Sequence, residues 1–126
     1  MSMNDLSLRD FSQALADKVS VPGGGGASAA VAALGAALNS MVGNFTVGKK
    51  KYADVEEEII SLMARADSLR NELLECIDKD AEGFEPLSRA YGIPKDAPGR
   101  DETLEKCLKD AAAVPMEITE LACKVI

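Results

Sequence analysis

The chain has 126 residues, which suits one domain spanning 1–126 with a modest core. It holds no histidine and no tryptophan, and 21 acidic residues against 14 basic ones give a net charge of −7. The absence of histidine excludes Ser-His-Asp and Cys-His nucleophile systems and HExxH metal sites. Proton transfer then falls to Asp, Glu, Lys, Tyr or Cys. The acidic balance argues against non-specific nucleic-acid binding, which needs a basic face. Cys76, Cys107 and Cys123 are odd in number and widely spaced. They read as reduced, buried thiols of a cytoplasmic protein rather than as a disulfide or zinc framework. Residues 1–10 lack the basic and apolar runs of a signal peptide.

A first helix is expected from Ser7, whose spacing to Asp10 is that of a capping box. Leu8, Phe11, Leu15 and Val19 follow as one helical stripe, and Ser20-Val21-Pro22 with Gly23 to Gly26 breaks it. The second helix is expected from about Ala27 to Phe45, ended by Gly48. No charge occurs between Lys18 and Lys49, a stretch long enough to span a bilayer. However, 11 of the 21 residues from Ala27 to Val47 are Ala, Gly or Ser, so a helix packed among other helices is the better reading. No membrane partner is expected.

The third helix is long. Val55, Ile59, Leu62, Ala66, Leu69, Leu73 and Cys76 alternate in steps of four and three, the stripe of an antiparallel bundle. Gly83 and Pro86 are expected to bend or interrupt it. A loop covers 92–99. A fourth helix is expected over Asp101 to Val114 with Leu104, Cys107, Leu108 and Ala111 inward, kinked by Pro115 and continued by Ile118, Leu121, Ala122 and Val125. No segment reads as a strand. The fold class is all-α, an antiparallel bundle of about four to five long helices. The chain stops inside an apolar helical pattern, which implies a truncation or a helix completed by a partner.

Three features could carry chemistry. The next step of the third-helix stripe falls on Asp80, and a carboxylate on a buried seam costs several kcal/mol unless paired or solvated. It is either a structural aspartate with a cationic partner or a carboxylate facing a cavity. Gly23 to Gly26 lies before a helix start, where backbone N–H groups favour anions and glycine admits a flat ligand. A flexible turn is the alternative. Gly24-x-Gly26-x-x-Ala29 matches the loose dinucleotide pattern but lacks the βαβ setting. Lys49, Lys50 and Lys51 are either surface charge at a helix C-terminus or a trap for carboxylates or phosphates.

Pro22-Gly23-Gly24-Gly25, an Ala-rich helix, Gly48-Lys49-Lys50-Lys51-Tyr52, Asp80-Ala81-x-x-Phe84 and Val114-Pro115 occur in this order. Together they resemble the formiminotetrahydrofolate cyclodeaminase / methenyltetrahydrofolate cyclohydrolase family from Leu8 to Ile126. The resemblance implies an all-helical protein that is dimeric or larger, and it implies that this chain lacks the C-terminal helices of longer relatives. The implied substrates are one-carbon derivatives of tetrahydrofolate, with no metal and no cofactor beyond the folate itself. It implies that Asp80 stabilises the cationic one-carbon centre and moves a proton. Pro22, Gly23, Gly24 and Gly25 would pack against the folate, and Lys49 to Lys51, with Arg100, would hold glutamate-tail carboxylates. A cyclohydrolase is expected. The alternatives are a cyclodeaminase that releases ammonia, a non-catalytic helical oligomerisation or folate-binding module, and a small acidic adaptor unrelated to folate. The uncharged stripe of the second helix leads to the expectation of a homodimer whose interface contributes to the ligand cleft.

Overall fold

The computed structural model describes residues 2–126. Its helices are α1 (Leu8–Ala16), α2 (Gly24–Thr46), α3 (Glu56–Tyr91) and α4 (Arg100–Val125). A 3-10 turn at Met3–Asp5 precedes α1, and a 3-10 segment at Lys50–Val55 joins α2 to α3. There is no strand among the described residues. The fold is an all-α bundle with three long helices and one short one.

Side-chain pairings fix the directions. Gly25 faces Asp80, Ser40 meets Asp67 and Gly43 faces Met63, so α2 and α3 run antiparallel. Lys79 meets Glu117 and Gly83 faces Val114, so α3 and α4 are antiparallel as well. The α3 rod is the shared partner of α2 and α4. At about 1.5 Å per residue its 36 residues extend roughly 54 Å.

Small residues let α2 lie close on α3. Ala29, Ala33, Ala36 and Gly43 are buried there, and a side chain at Gly43 would overlap Met63. Against this face pack Leu69, Leu73, Cys76 and Ile77, with Ile118 and Leu121 from α4. Leu73 and Cys76 are fully buried. Burying a leucine contributes on the order of 2 kcal/mol. Ser40 is a polar group inside this contact. Its hydroxyl donates to Asp67 Oδ1 at 2.8 Å, and Asp67 lies 3.6 Å from Arg70, so the buried oxygen is satisfied.

Ser7 caps α1 as its spacing predicts, with the side chain accepting from the Asp10 amide at 3.0 Å. Other expectations are corrected. The α1 stripe is largely unburied, because the helix stops at Ala16; Leu8 is 80% exposed, and Val19 lies beyond the helix end. Gly24 to Gly26 form the first turn of α2 rather than a flexible linker. Pro86 does not interrupt α3, while α4 continues through Pro115 as expected. Both prolines are exposed, so water can reach the carbonyls that lose an N–H partner. Arg100 is the first residue of α4 and not part of the loop. Leu108 points outward, as do Val55 and Leu62. Among the cysteines only Cys76 is buried; Cys107 is half-buried, Cys123 is exposed, and all three are free thiols.

The largest departure concerns α2. It is long and apolar enough to cross a membrane by length and composition. It is not surrounded by helices, since only one face is covered. Val31, Leu34, Leu38, Met41, Val42 and Phe45 are exposed on the opposite face, Phe45 by 69%.

Candidate active site

The α3 stripe carries Asp80 where its period puts it, facing the start of α2. The carboxylate is partly buried against the first turn of α2, where the Gly26 amide favours its charged form. Gly23 is the N-cap of α2 and supplies no side-chain cap. Asp80 therefore sets from α3 a carboxylate at the first turn of α2, whose amides have no partner within the helix. The positive end of the α2 dipole favours a negative group there.

The glycines have a steric reason. A side chain at Gly25 would overlap the Asp80 carboxylate, and one at Gly26 would stand 3.7 Å from Ile77 and 3.8 Å from Pro22. At Gly24 the space is open. Pro22 is buried, the Val21–Pro22 peptide is cis, and the Ser20 and Ser88 hydroxyls lie 3.2 Å apart, tying the preceding turn to α3. Gly25 thus confines the carboxylate, while Gly23 and Gly24 leave room beside it.

Burial pushes the Asp80 carboxyl above the ordinary aspartate range, and the Gly26 amide pulls it partway back. A partly buried carboxylate with an elevated pKa, beside open backbone, can hold or take a proton near a cationic carbon. Two neighbours are committed elsewhere. Asp78 accepts from the Ser2 hydroxyl, and from the Met3 amide at 2.5 Å, docking the N-terminal turn. Lys79 reaches Glu117 at 3.5 Å.

The other predicted site residues lie apart from Asp80. Lys49, Lys50 and Lys51 are exposed at the opposite end of α2, and the Lys51 ammonium stands 5.5 Å from the Tyr52 ring centroid. The 23 residues of α2 put roughly 34 Å between the two ends. The Arg100 Nε donates to the Ile93 carbonyl at 2.9 Å and holds the 92–99 loop. One chain therefore brings together Asp80, Gly25 and Gly26 but not the lysines. Among the described residues no group of three Cys, Asp or Glu side chains converges to hold a metal ion.

Two clefts lie away from Asp80. One of about 810 Å³ runs beside the C-terminal half of α2, between Val42, Met63, Leu69 and Val125. Another of about 380 Å³ lies beside its N-terminal half, between Phe11, Leu34 and Leu74. Sequence reasoning missed both, because each is walled by residues that read as core. Their signal is the surplus of large apolar residues on α2, more than one neighbouring helix can cover.

Comparison with known proteins gives a consistent picture. The formiminotransferase-cyclodeaminase family model matches residues 7–126. The methenyltetrahydrofolate cyclohydrolase of Methylorubrum extorquens is 38% identical over 124 residues, covering 95% of this chain and 60% of that protein. The formimidoyltransferase-cyclodeaminase of Mus musculus is 37% identical over 123 residues, covering 94% of this chain and 23% of that protein. The crystal structure of formiminotetrahydrofolate cyclodeaminase from Thermotoga maritima superimposes with a TM-score of 0.80 at 38% identity, covering 93% of this chain and 56% of that one. The chain thus spans little more than half the length of the cyclohydrolase and of the solved cyclodeaminase.

Proposed function

Because the chain belongs to the formiminotransferase-cyclodeaminase family, we propose that it hydrolyses 5,10-methenyltetrahydrofolate to 10-formyltetrahydrofolate. The observation that carries this reading is the Asp80 carboxylate, seated against a glycine turn with open space beside it. The substrate carries a cationic carbon between two nitrogens. Ionised Asp80 stabilises that cation and accepts a proton from the attacking water, so that the oxygen–carbon bond forms. The carbon–N5 bond then breaks and N5 takes up the proton, leaving the formyl group on N10. One proton is released per turnover. Pro22, Gly23, Gly24 and Gly25 give the folate a surface without protruding side chains. Lys49, Lys50 and Lys51 hold glutamate-tail carboxylates as mobile point charges. Arg100, tied to Ile93 through Nε and paired with Asp101 through Nη1, offers Nη2 for the same work.

In this reading residues 1–126 act as one cytoplasmic domain, need no cofactor beyond the folate, and work as a homodimer. The exposed apolar face of α2 supports the dimer.

A cyclodeaminase is the second reading, favoured by the likeness to the Thermotoga maritima formiminotetrahydrofolate cyclodeaminase. There N10 attacks the formimino carbon and ammonia leaves, and Asp80 serves the proton transfers. The test is the loss of methenyltetrahydrofolate absorbance with purified protein, corrected for spontaneous hydrolysis. Acceleration is the expected result. If none is seen with folded protein, ammonia release from formiminotetrahydrofolate identifies the deaminase. Inactivity on both substrates contradicts the enzymatic reading.

A further inference from the structure

We infer that Glu56 is a positioning residue: its carboxylate, bonded to the Gly48 amide, holds the Lys49–Lys51 loop in the shape that captures the acidic tail of the folate. The inference deepens the folate reading and rests on it for the identity of that tail.

Between α2 and α3 the chain has to turn and still present three cations. Gly48 makes the turn at φ +85°, in the left-handed region where a side chain is strained. Its amide donates to Glu56 Oε1 at 2.7 Å, a bond that closes the segment 48–56 across eight positions. Inside that segment the Lys49 amide donates to the Thr46 carbonyl at 3.3 Å, and the Tyr52 amide donates to the Lys49 carbonyl at 3.0 Å. Tyr52 itself lines the larger cleft with Val42 and Met63. The lysines therefore sit between two anchors, the Gly48–Glu56 bond and the Tyr52 side chain.

The acids around the loop are not equivalent. Asp54, Glu57 and Glu58 are exposed, whereas Glu56 is half-buried. Among the described residues no carboxylate stands within ion-pairing distance of Lys49, Lys50 or Lys51. Glu56 commits its carboxylate to the backbone and leaves the three ammonium groups free. A charged acceptor makes this a stronger bond than a neutral side chain would. Adjacent ammonium groups repel one another, so a loop without the bond spreads them. Held together, they lose less freedom when the two carboxylates of a glutamate arrive.

Two variants separate the bond from the charge. Glu56→Gln keeps an acceptor for the Gly48 amide and loses the charge; Glu56→Ala loses both. Amide exchange at Gly48, followed by NMR, should quicken about 10-fold in Glu56→Ala and stay near wild type in Glu56→Gln. The KM for methenyltetrahydrofolate should rise about 3- to 10-fold in Glu56→Ala with kcat within about twofold, and Glu56→Gln should restore it. Methenyltetrahydropteroate, which lacks the glutamate, should show no such rise. A lower KM in both variants makes Glu56 a competitor of the tail and overturns the inference. An equal rise on the tail-less substrate overturns it as well. The variant Lys49→Ala/Lys50→Ala/Lys51→Ala keeps two failures apart. If it raises KM and Glu56→Ala does not, the positioning role is wrong and the folate reading stands. If neither changes KM, the lysines do not hold the tail, and the inference falls with that part of the reading. If wild-type protein acts on neither folate substrate, the functional reading fails and the inference with it, whatever the exchange at Gly48.

Discussion

At its N-terminal end α2 receives a carboxylate from another helix into a turn without side chains; at its C-terminal end it passes the chain to three lysines, all exposed. The two ends treat charge differently. Asp80 is partly desolvated, set beside the Gly26 amide and packed against Gly25, so its protonation responds to small changes in structure. The lysines are exposed, so each acts weakly and through salt-screened attraction. The proposed mechanism places proton transfer at the confined end and capture of the substrate tail at the solvated end.

The strongest way to break this contrast is Asp80→Asn. The amide keeps the shape, but it can neither be a base nor carry charge. Turnover at saturating substrate should fall by about 10²- to 10⁴-fold. A loss below tenfold, about 1.4 kcal/mol of barrier, removes Asp80 from the chemistry.

Gly25→Ala sharpens the contrast by disturbing confinement alone. The new methyl group forces the carboxylate to move, and turnover should drop about 10- to 100-fold. The preference of a helix for alanine over glycine, roughly 0.5–1 kcal/mol, is offset by the shift forced on Asp80, so the melting temperature should change little. A parallel loss of stability and activity would point to misfolding instead.

A smaller effect is expected in pH dependence. If ionised Asp80 is the base, kcat/KM rises with pH through a midpoint above the ordinary aspartate value, and Gly25→Ala lowers that midpoint by returning the carboxyl to water. Stability runs in the opposite sense. A carboxyl whose pKa is raised by folding contributes stability that is fully present below its unfolded pKa and lost as pH rises through the folded one. Urea midpoints should therefore show Asp80→Asn gaining on the wild type between pH 4 and pH 7.

The smallest effect is expected at the other end. Lys51→Ala should leave stability within about 0.5 kcal/mol. It should raise KM roughly 2- to 5-fold, more at low salt than at high salt. Steady-state kinetics at two ionic strengths check this.

Much of this arrangement was legible in the chain. The steps of four and three from Val55 to Cys76 led to Asp80, and the structure seats Asp80 on the seam. The Ser7 cap was readable because capping is local. The end of α1 at Ala16 was not, because its apolar stripe continues to Val19 although nothing covers it. The continuity of α3 through Pro86 was hidden as well. A proline penalty depends on whether water reaches the freed carbonyl, and sequence does not show that. At Gly23 to Gly26 the pattern allowed a flexible turn, a ligand surface or a helix start. What decides is Asp80, 55 positions from Gly25, and no local signal carries such a contact.

The pairing of Lys51 with the Tyr52 ring has an optical consequence. The chain has no tryptophan and two tyrosines, Tyr52 and Tyr91. Tyr91→Phe would leave a single fluorophore in the protein, 5.5 Å from an ammonium of the lysine cluster. Emission from that ring would then report arrivals at the solvated end of α2 without any added label.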